Sequence, residues 1–300
     1  MLLLQAFKLA AYHVTTKGDL QTALRAFNDD EASAKATYGP LAGLDVSRIT
    51  DMSLLFAEAG LLQLNWKAEL SSWVSSWDTS RVTDMSWLFY EQLSFNADIS
   101  SWDTSRVMSM RSMFERTWSF NQPLNFDTSS VTDMAGMFGS ALAFNQPLSL
   151  DTAAVTDMAG MFLHASVFNQ PLSLDTSSVA SMREMFWSAE LPSAFNQPLS
   201  LDTSRVTDMA YMFGFASAYN QPPNLDTSGV MDMVGMFLHA SVFNQPLSLD
   251  TSRVTDMAFM LYGAWSFDQP LSFDTSSVTD MTNMLTVRSA LCPDPPATAS

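Results

Sequence analysis

Ten aspartates, each following Leu, Trp or Phe, recur along the 300-residue chain at Asp45, Asp78, Asp103, Asp127, Asp151, Asp175, Asp202, Asp226, Asp250 and Asp274. A second acidic column, Asp51, Asp84, Asp133, Asp157, Asp208, Asp232, Asp256 and Asp280, follows the first. Carboxylates at such density could bind calcium, which needs several oxygens converging on one point, but the glycine-rich nonapeptide of calcium β-rolls is absent. Turn chemistry explains them without a ligand. An Asp followed by Thr-Ser accepts the N–H groups one to three residues on, and an Asp in the first turn of a short helix is favoured by the helix dipole. Weak screening of the two columns by divalent cations stays open beside that reading.

Other chemistry has little to work with. The three histidines are His13, His164 and His239, and the last two stand at equivalent positions in different units, about 14 Å apart at the strand spacing, too far to share a metal or a proton relay. The single cysteine, Cys292, excludes an intramolecular disulfide framework and a cysteine zinc site. No nucleophile elbow or P-loop is present. Neither catalytic residues, cofactor nor metal are expected. A threonine row, Thr79, Thr104, Thr128, Thr152, Thr176, Thr203, Thr227, Thr251 and Thr275, has the regularity of a lattice-matching, ice-type face, although Asp precedes each of them.

What positions these columns is a tandem repeat, and repeats have to be found before elements are assigned. From Asp103 on, the first acidic column recurs every 24 residues, with 27 between Asp175 and Asp202. One clean unit is FDTSSVTDMAGMFGSALAFNQPLS, Phe126 to Ser149. Insertions fall near Pro192 and between Phe56 and Trp77. The stretch MFLHASVFNQPLSLDTS occurs identically at 161–177 and 236–252, which points to block duplication.

Within a unit, Val131, Met134, Met137 and Phe138 have the spacing of a short helix or 3₁₀ turn. Leu148 and Leu150 around Ser149 predict a very short strand, with Pro147 at the turn before it. Stacking in register then makes ladders. Two methionine ladders absorb 18 of the 21 methionines, and two ring ladders run Phe89 to Phe237 and Phe95 to Phe267. Core packing, not a methionine metal surface, is the expected role. An asparagine column, Asn96 to Asn244, should satisfy turn backbone from unit to unit, with the neighbouring glutamines exposed.

The expected architecture is a leucine-rich-repeat-like solenoid of short parallel strands alternating with short helical or 3₁₀ turns: a helical N-terminal cap over 1–40, about ten 24-residue units over 41–286, and a disordered tail over 287–300. Leu20, Ala23, Leu24 and Phe27 share one face of a helix over about Gly18 to Ala34 that would cap the first unit. The opening stretch MLLLQAFKLAA is expected to be helical and lacks the basic n-region and cleavage site of a clear signal peptide. No segment is long and apolar enough to span a membrane. An uncapped far end would be an edge open to self-association.

The pattern W/L-D-T-S-x-V-T-D-M-x-x-M-F, followed by F-N-Q/A-x-L/I-S, resembles BspA-like leucine-rich-repeat surface proteins, the repeat of mycoplasma surface lipoproteins and of some algae. The likeness covers about residues 38 to 286, and FNADISSWDTSRV, Phe95 to Val107, is particularly close. It implies adhesion or protein interaction, often at a cell surface or in secreted form, and no catalytic residues. Against the surface-protein pattern, no lipobox cysteine stands near the start.

Charge narrows the partner. With 31 acidic against 14 basic residues, a net −17, the chain repels phosphate backbones and anionic lipid heads. Nucleic acid and bare membrane are therefore not expected partners; a protein or cell-surface ligand is. The expected function is a non-enzymatic interaction or adhesion module, the alternative being a structural or lattice-binding surface protein that uses the polar ladders. Trp66, Trp73, Trp87 and Trp118 are the candidate contact residues, unless they fill the gap left by the long insertion.

Overall fold

The N-terminal helix begins where Thr16 and Asp19 exchange hydrogen bonds: the Thr16 hydroxyl accepts the Asp19 N–H, and the Asp19 carboxylate accepts the Thr16 N–H. This structure, a computed structural model, describes residues 12–285 except Asn65 and Lys67. Residues 1–11, with the apolar start, and 286–300, with the expected tail and Cys292, lie outside the described residues. Helix α1 (Lys17–Asp29) buries Leu20, Ala23 and Leu24. The helix expected to run on to about Ala34 is interrupted at Asp30. That residue closes α1 and caps α2 (Glu31–Tyr38) by accepting the N–H groups of Ala32 and Ser33. A 3₁₀ turn, Leu41–Gly43, leads into β2 (Leu44–Asp45), which pairs in parallel with β1 (Tyr12–His13). The insertion after Phe56 supplies α4 (Ala68–Ser75), which buries Trp73 and Val74, and α3 (Leu55–Glu58) precedes it. Polar bonds tie α1 to the end of α3: Arg25 donates to the carbonyls of Glu58 and Ala59, and Lys17 meets the Glu58 carboxylate at 2.9 Å.

Beyond this start the chain is a tandem-repeat protein whose units are joined by one continuous series of parallel bridges. They connect Asp51, Asp84, Ser109, Asp133, Asp157, Ser181, Asp208, Asp232, Asp256 and Asp280 in order. The pairing thus runs through the segment whose spacing predicts a short helix or 3₁₀ turn, and of the two it is the three-residue turns that form there. Left-handed residues, two in most units, explain why no helix forms there beyond the first unit's α3, as at Gly136 (φ 66°) and Ser140 (φ 52°). They redirect the backbone so that alternate N–H groups point along the stack. Met134, Gly136, Phe138 and Ser140 donate to Asp157, Ala159, Met161 and Leu163 of the next unit. Met137, Gly139 and Ala141 instead close three-residue turns onto Met134, Gly136 and Phe138. Every backbone donor from 136 to 141 is therefore used without a helix.

The Leu-Ser-Leu segment, expected to be the strand, carries a single bridge, Ser200 to Asn224. Proline before it removes one ladder donor, and the Asx turn after it bends the chain away. Leu148 and Leu150 still bury themselves, as extended chain without a ladder.

The core is a set of side-chain columns. Both methionine columns are fully buried from Met52 to Met257 and from Met113 to Met260. Between them two files of rings interleave. Phe138 lies 4.2 Å from Phe144 within its unit, while Phe138 to Phe162 is 5.6 Å and Phe144 to Phe168 is 6.0 Å between units, all planes within 10° of parallel. Offset stacking of this kind adds to burial. One member breaks the chemistry: Tyr219 is fully buried and its hydroxyl has no hydrogen-bond partner. Burial alone pushes its ionisation far above the ordinary tyrosine range. Tyr219→Phe, which restores the column, is expected to raise the unfolding free energy by about 1 kcal/mol, since an unsatisfied buried hydroxyl costs about that much or more. Urea denaturation reads the gain, and a loss of stability would mean that the hydroxyl has an unseen partner.

Candidate interaction face

Recurrent polar positions are consumed in joining units. Each Asp of the D-T-S segment accepts the N–H two residues on, as Asp127 does from Ser129 at 3.1 Å. The threonine that follows is buried, and Thr128 donates to the Asp151 carbonyl of the next unit at 2.7 Å. From Thr79 to Thr251 that row is at most 1% exposed, so these hydroxyls present no lattice-matching face. Asn145 Oδ1 accepts the Asn169 N–H at 2.9 Å and the Gln170 amide at 3.2 Å, a pattern repeated along the column. The glutamines expected to be exposed are half-buried donors in this ladder.

The second Asp column lies on the bridge series itself, and no helix dipole acts on it. Asp133 accepts the Ala135 N–H at 2.9 Å. Like charges in register stand about 4.8 Å apart, and cations are interposed among them, two of them arginines three units apart. Where Ser109 and Ser181 replace Asp, the residue two positions on is arginine. The Arg111 guanidinium reaches Asp133 at 3.4 Å and Asp157 at 3.6 Å. Arg183 reaches Asp208 at 3.8 Å and Asp232 at 3.7 Å, and lies 5.3 Å from the centre of the Tyr211 ring. Lys17 serves Asp51 at 3.7 Å. Among the described residues, Asp256 and Asp280 are the one consecutive pair with no cation in reach.

What varies between units sits three, six, seven and nine residues after the bridge residue. In the later units these positions carry Trp187, Tyr211, Phe215, His239, Phe259, Tyr262 and Trp265. They form one connected surface row: Trp187 to Phe215 is 4.8 Å, Phe215 to His239 4.7 Å, His239 to Tyr262 5.4 Å and His239 to Trp265 6.3 Å. Tyr262 and Trp265 are 37% and 39% exposed. Glycines in the following unit make room for the rings, since a Cβ at Gly214, Gly235 or Gly263 would stand within 2.4 Å of Trp187, Tyr211 or His239. Burial lowers the pKa of His239, keeping it neutral in this apolar row. The same effect acts on half-buried His164, opposed by Glu190 and Glu184.

The tryptophans singled out by sequence do not converge. Trp73 is buried edge-on against Trp77. Trp66 packs on Phe56, Phe89 and Phe95 and donates to Gln92, filling the space opened by the long insertion. Trp87 stands on Tyr90. Trp118 is 47% exposed and, like Trp87, lies in the early units, apart from the aromatic row. Sequence reasoning missed that row because its members share no residue type; aligning the variable positions after each bridge residue would have found it.

Acid is expected to destabilise this fold. Hydrogen bonds from the serines two residues on hold Asp103, Asp127, Asp175, Asp202, Asp226, Asp250 and Asp274 below the ordinary aspartate value. A depressed carboxylate contributes stability above its unfolded pKa of about 3.9 and loses it as pH falls through the folded value. Asp232 and Glu115 act oppositely, because burial raises the pKa of each, with Asp208 and Asp256 beside Asp232 adding to it there. The many outweigh the two, so melting temperature should fall steadily from about pH 5 downward. A flat profile to pH 3 would show that these turns contribute nothing.

Among the described residues, no three His, Cys, Asp or Glu side chains converge as a metal site, and no helix is long and apolar enough to cross a membrane. No curated protein and no solved structure matches the chain. Four overlapping stretches, residues 23–125, 64–173, 124–225 and 194–294, match the family described as Mycoplasma protein of unknown function, DUF285. Together they cover nearly all of the repeats described above, and the chain belongs to that family.

Proposed function

We propose that this chain is a leucine-rich-repeat-like solenoid of the BspA-like kind that works without catalysis, as a protein-interaction or adhesion module. One observation carries the reading: recurrent positions are spent on packing and turns, while the variable ones gather aromatic side chains on one continuous surface. Exposed tryptophan and tyrosine are the side chains that most often dominate binding energy at protein interfaces. The polar ladders that a lattice-binding role would need are already bonded between units.

The test compares capture by the full chain with capture by a variant carrying Tyr262→Ala and Trp265→Ala. Both side chains are more than a third exposed, so melting should be little changed. A saturable protein partner from a cell-surface extract is expected to bind the wild type and to be lost by the variant. Equal capture by both would remove the aromatic row from the interaction.

A further inference from the structure

The cation pattern along the aspartate series is incomplete, and the gap lies beside the aromatic row. Arg111 and Arg183 each stand two residues after a bridge residue and reach the aspartates of the next two units. For the pair Asp256 and Asp280 the equivalent position is Val234. The ring equivalent to Tyr211, over which Arg183 lies, is Phe259. Asp256, Asp280 and Phe259 therefore repeat, two units on, the two carboxylates and the ring that hold the Arg183 guanidinium, with valine where the arginine would stand.

We propose that this position binds an arginine side chain of a partner protein, its guanidinium standing between Asp256 and Asp280 and against Phe259, as Arg183 stands on Asp208, Asp232 and Tyr211. The inference rests on the interaction reading above and names the chemistry of the partner. Two carboxylates about 4.8 Å apart along a bridge series suit a planar fork of donors better than the point charge of an ammonium, and a ring face stacks a guanidinium. The net charge of −17 draws a basic segment toward the surface. Residues flanking the arginine would meet Tyr262 and Trp265, which belong to the same unit as Phe259 and its surroundings.

Filling the gap from within tests the proposal. Val234→Arg places the arginine where Arg111 and Arg183 already stand, and Ser248→Arg adds the same charge at an exposed position away from the site. A fluorescent hexaarginine peptide is titrated onto the full chain and both variants by anisotropy at constant ionic strength. The expected result is a loss of about tenfold or more for Val234→Arg, little change for Ser248→Arg, and weaker wild-type binding of hexalysine. Val234→Arg should also melt higher than the wild type, because it neutralises the last acidic pair. The double variant Asp256→Asn, Asp280→Asn should show the same loss of hexaarginine binding. Equal binding by the two arginine variants overturns the assignment, leaving only diffuse attraction to an acidic surface. If Val234→Arg still captures the partner that the Tyr262, Trp265 variant loses, the interaction reading stands and the arginine site falls. If neither variant changes capture, both fall.

Discussion

Phe144→Ala should lower the unfolding free energy by about 3–5 kcal/mol, the cost of deleting a fully buried ring from a core that cannot collapse around the hole. Phe144 has no exposed surface and is stacked on Phe138, Phe120 and Phe168 at 4.2, 5.9 and 6.0 Å, so one deletion weakens contacts within its own unit and with both neighbours. In an array held by nearest-neighbour contacts such a lesion also weakens the coupling between the halves on either side. Urea unfolding should therefore show a reduced slope together with the lower midpoint. The comparison is Phe267→Ala, at the last described units, where the ring is only partly buried and has one stacked neighbour in its column. A loss at Phe144 no larger than at Phe267 would contradict a core built of continuous ring files.

Excision of residues 178–252 should leave a folded, shorter protein, whereas excision of half a unit, residues 178–189, should not fold. The first cut joins the two copies of the sequence shared by 161–177 and 236–252, so Ser177 is followed by Arg253 just as Ser252 is. Nearly every contact across the new junction already exists in the intact chain between the units of Asp232 and Asp256, which are bridged directly. Three units are lost and the rest keep their register. The half-unit cut instead sets methionine columns against turn positions and takes from Met158, Gly160, Phe162 and His164 their main-chain acceptors at Ser181, Arg183, Met185 and Trp187. Circular dichroism and a single cooperative melt identify the folded product. The shortened chain also lacks Trp187, Tyr211 and Phe215, so it should bind a partner of the aromatic row more weakly. Failure of the longer excision to fold would mean that the removed units do more than stack.

The repeat and its columns were legible because packing fixes residue type at fixed spacing: Met134, Met137, Phe138 and Phe144 could be assigned to the core from recurrence alone. The pairing was not. Val131, Met134, Met137 and Phe138 fit a helical period, and only the left-handed backbone at Gly136 and Ser140 turns that period into a bridge with turns. Elsewhere Tyr211, Glu184 and Phe259 hold that same left-handed conformation, types that give no glycine signal. The N-terminal helix was placed by its apolar face, but Asp30 split it through a cap that composition does not distinguish from an ordinary surface aspartate. Among the candidate tryptophans, type alone did not separate contact from gap-filling, because size marks a side chain for burial as readily as for contact. Trp66 and Trp73 went inward to fill an insertion, while Phe215 and His239 came to adjoin one another through the stacking of consecutive units.

The main-chain bonds of Met134, Gly136, Phe138 and Ser140 run from one unit to the next, along the direction in which the units are stacked. A pull on the two ends therefore meets the interfaces one after another, so the weakest opens first and the remainder stays intact. Each regular unit released pays out 24 residues, roughly 80 Å of extended chain at about 3.3–3.6 Å per residue. Under tension the protein behaves as a tether with stored length, yielding in steps where a compact domain would rupture once.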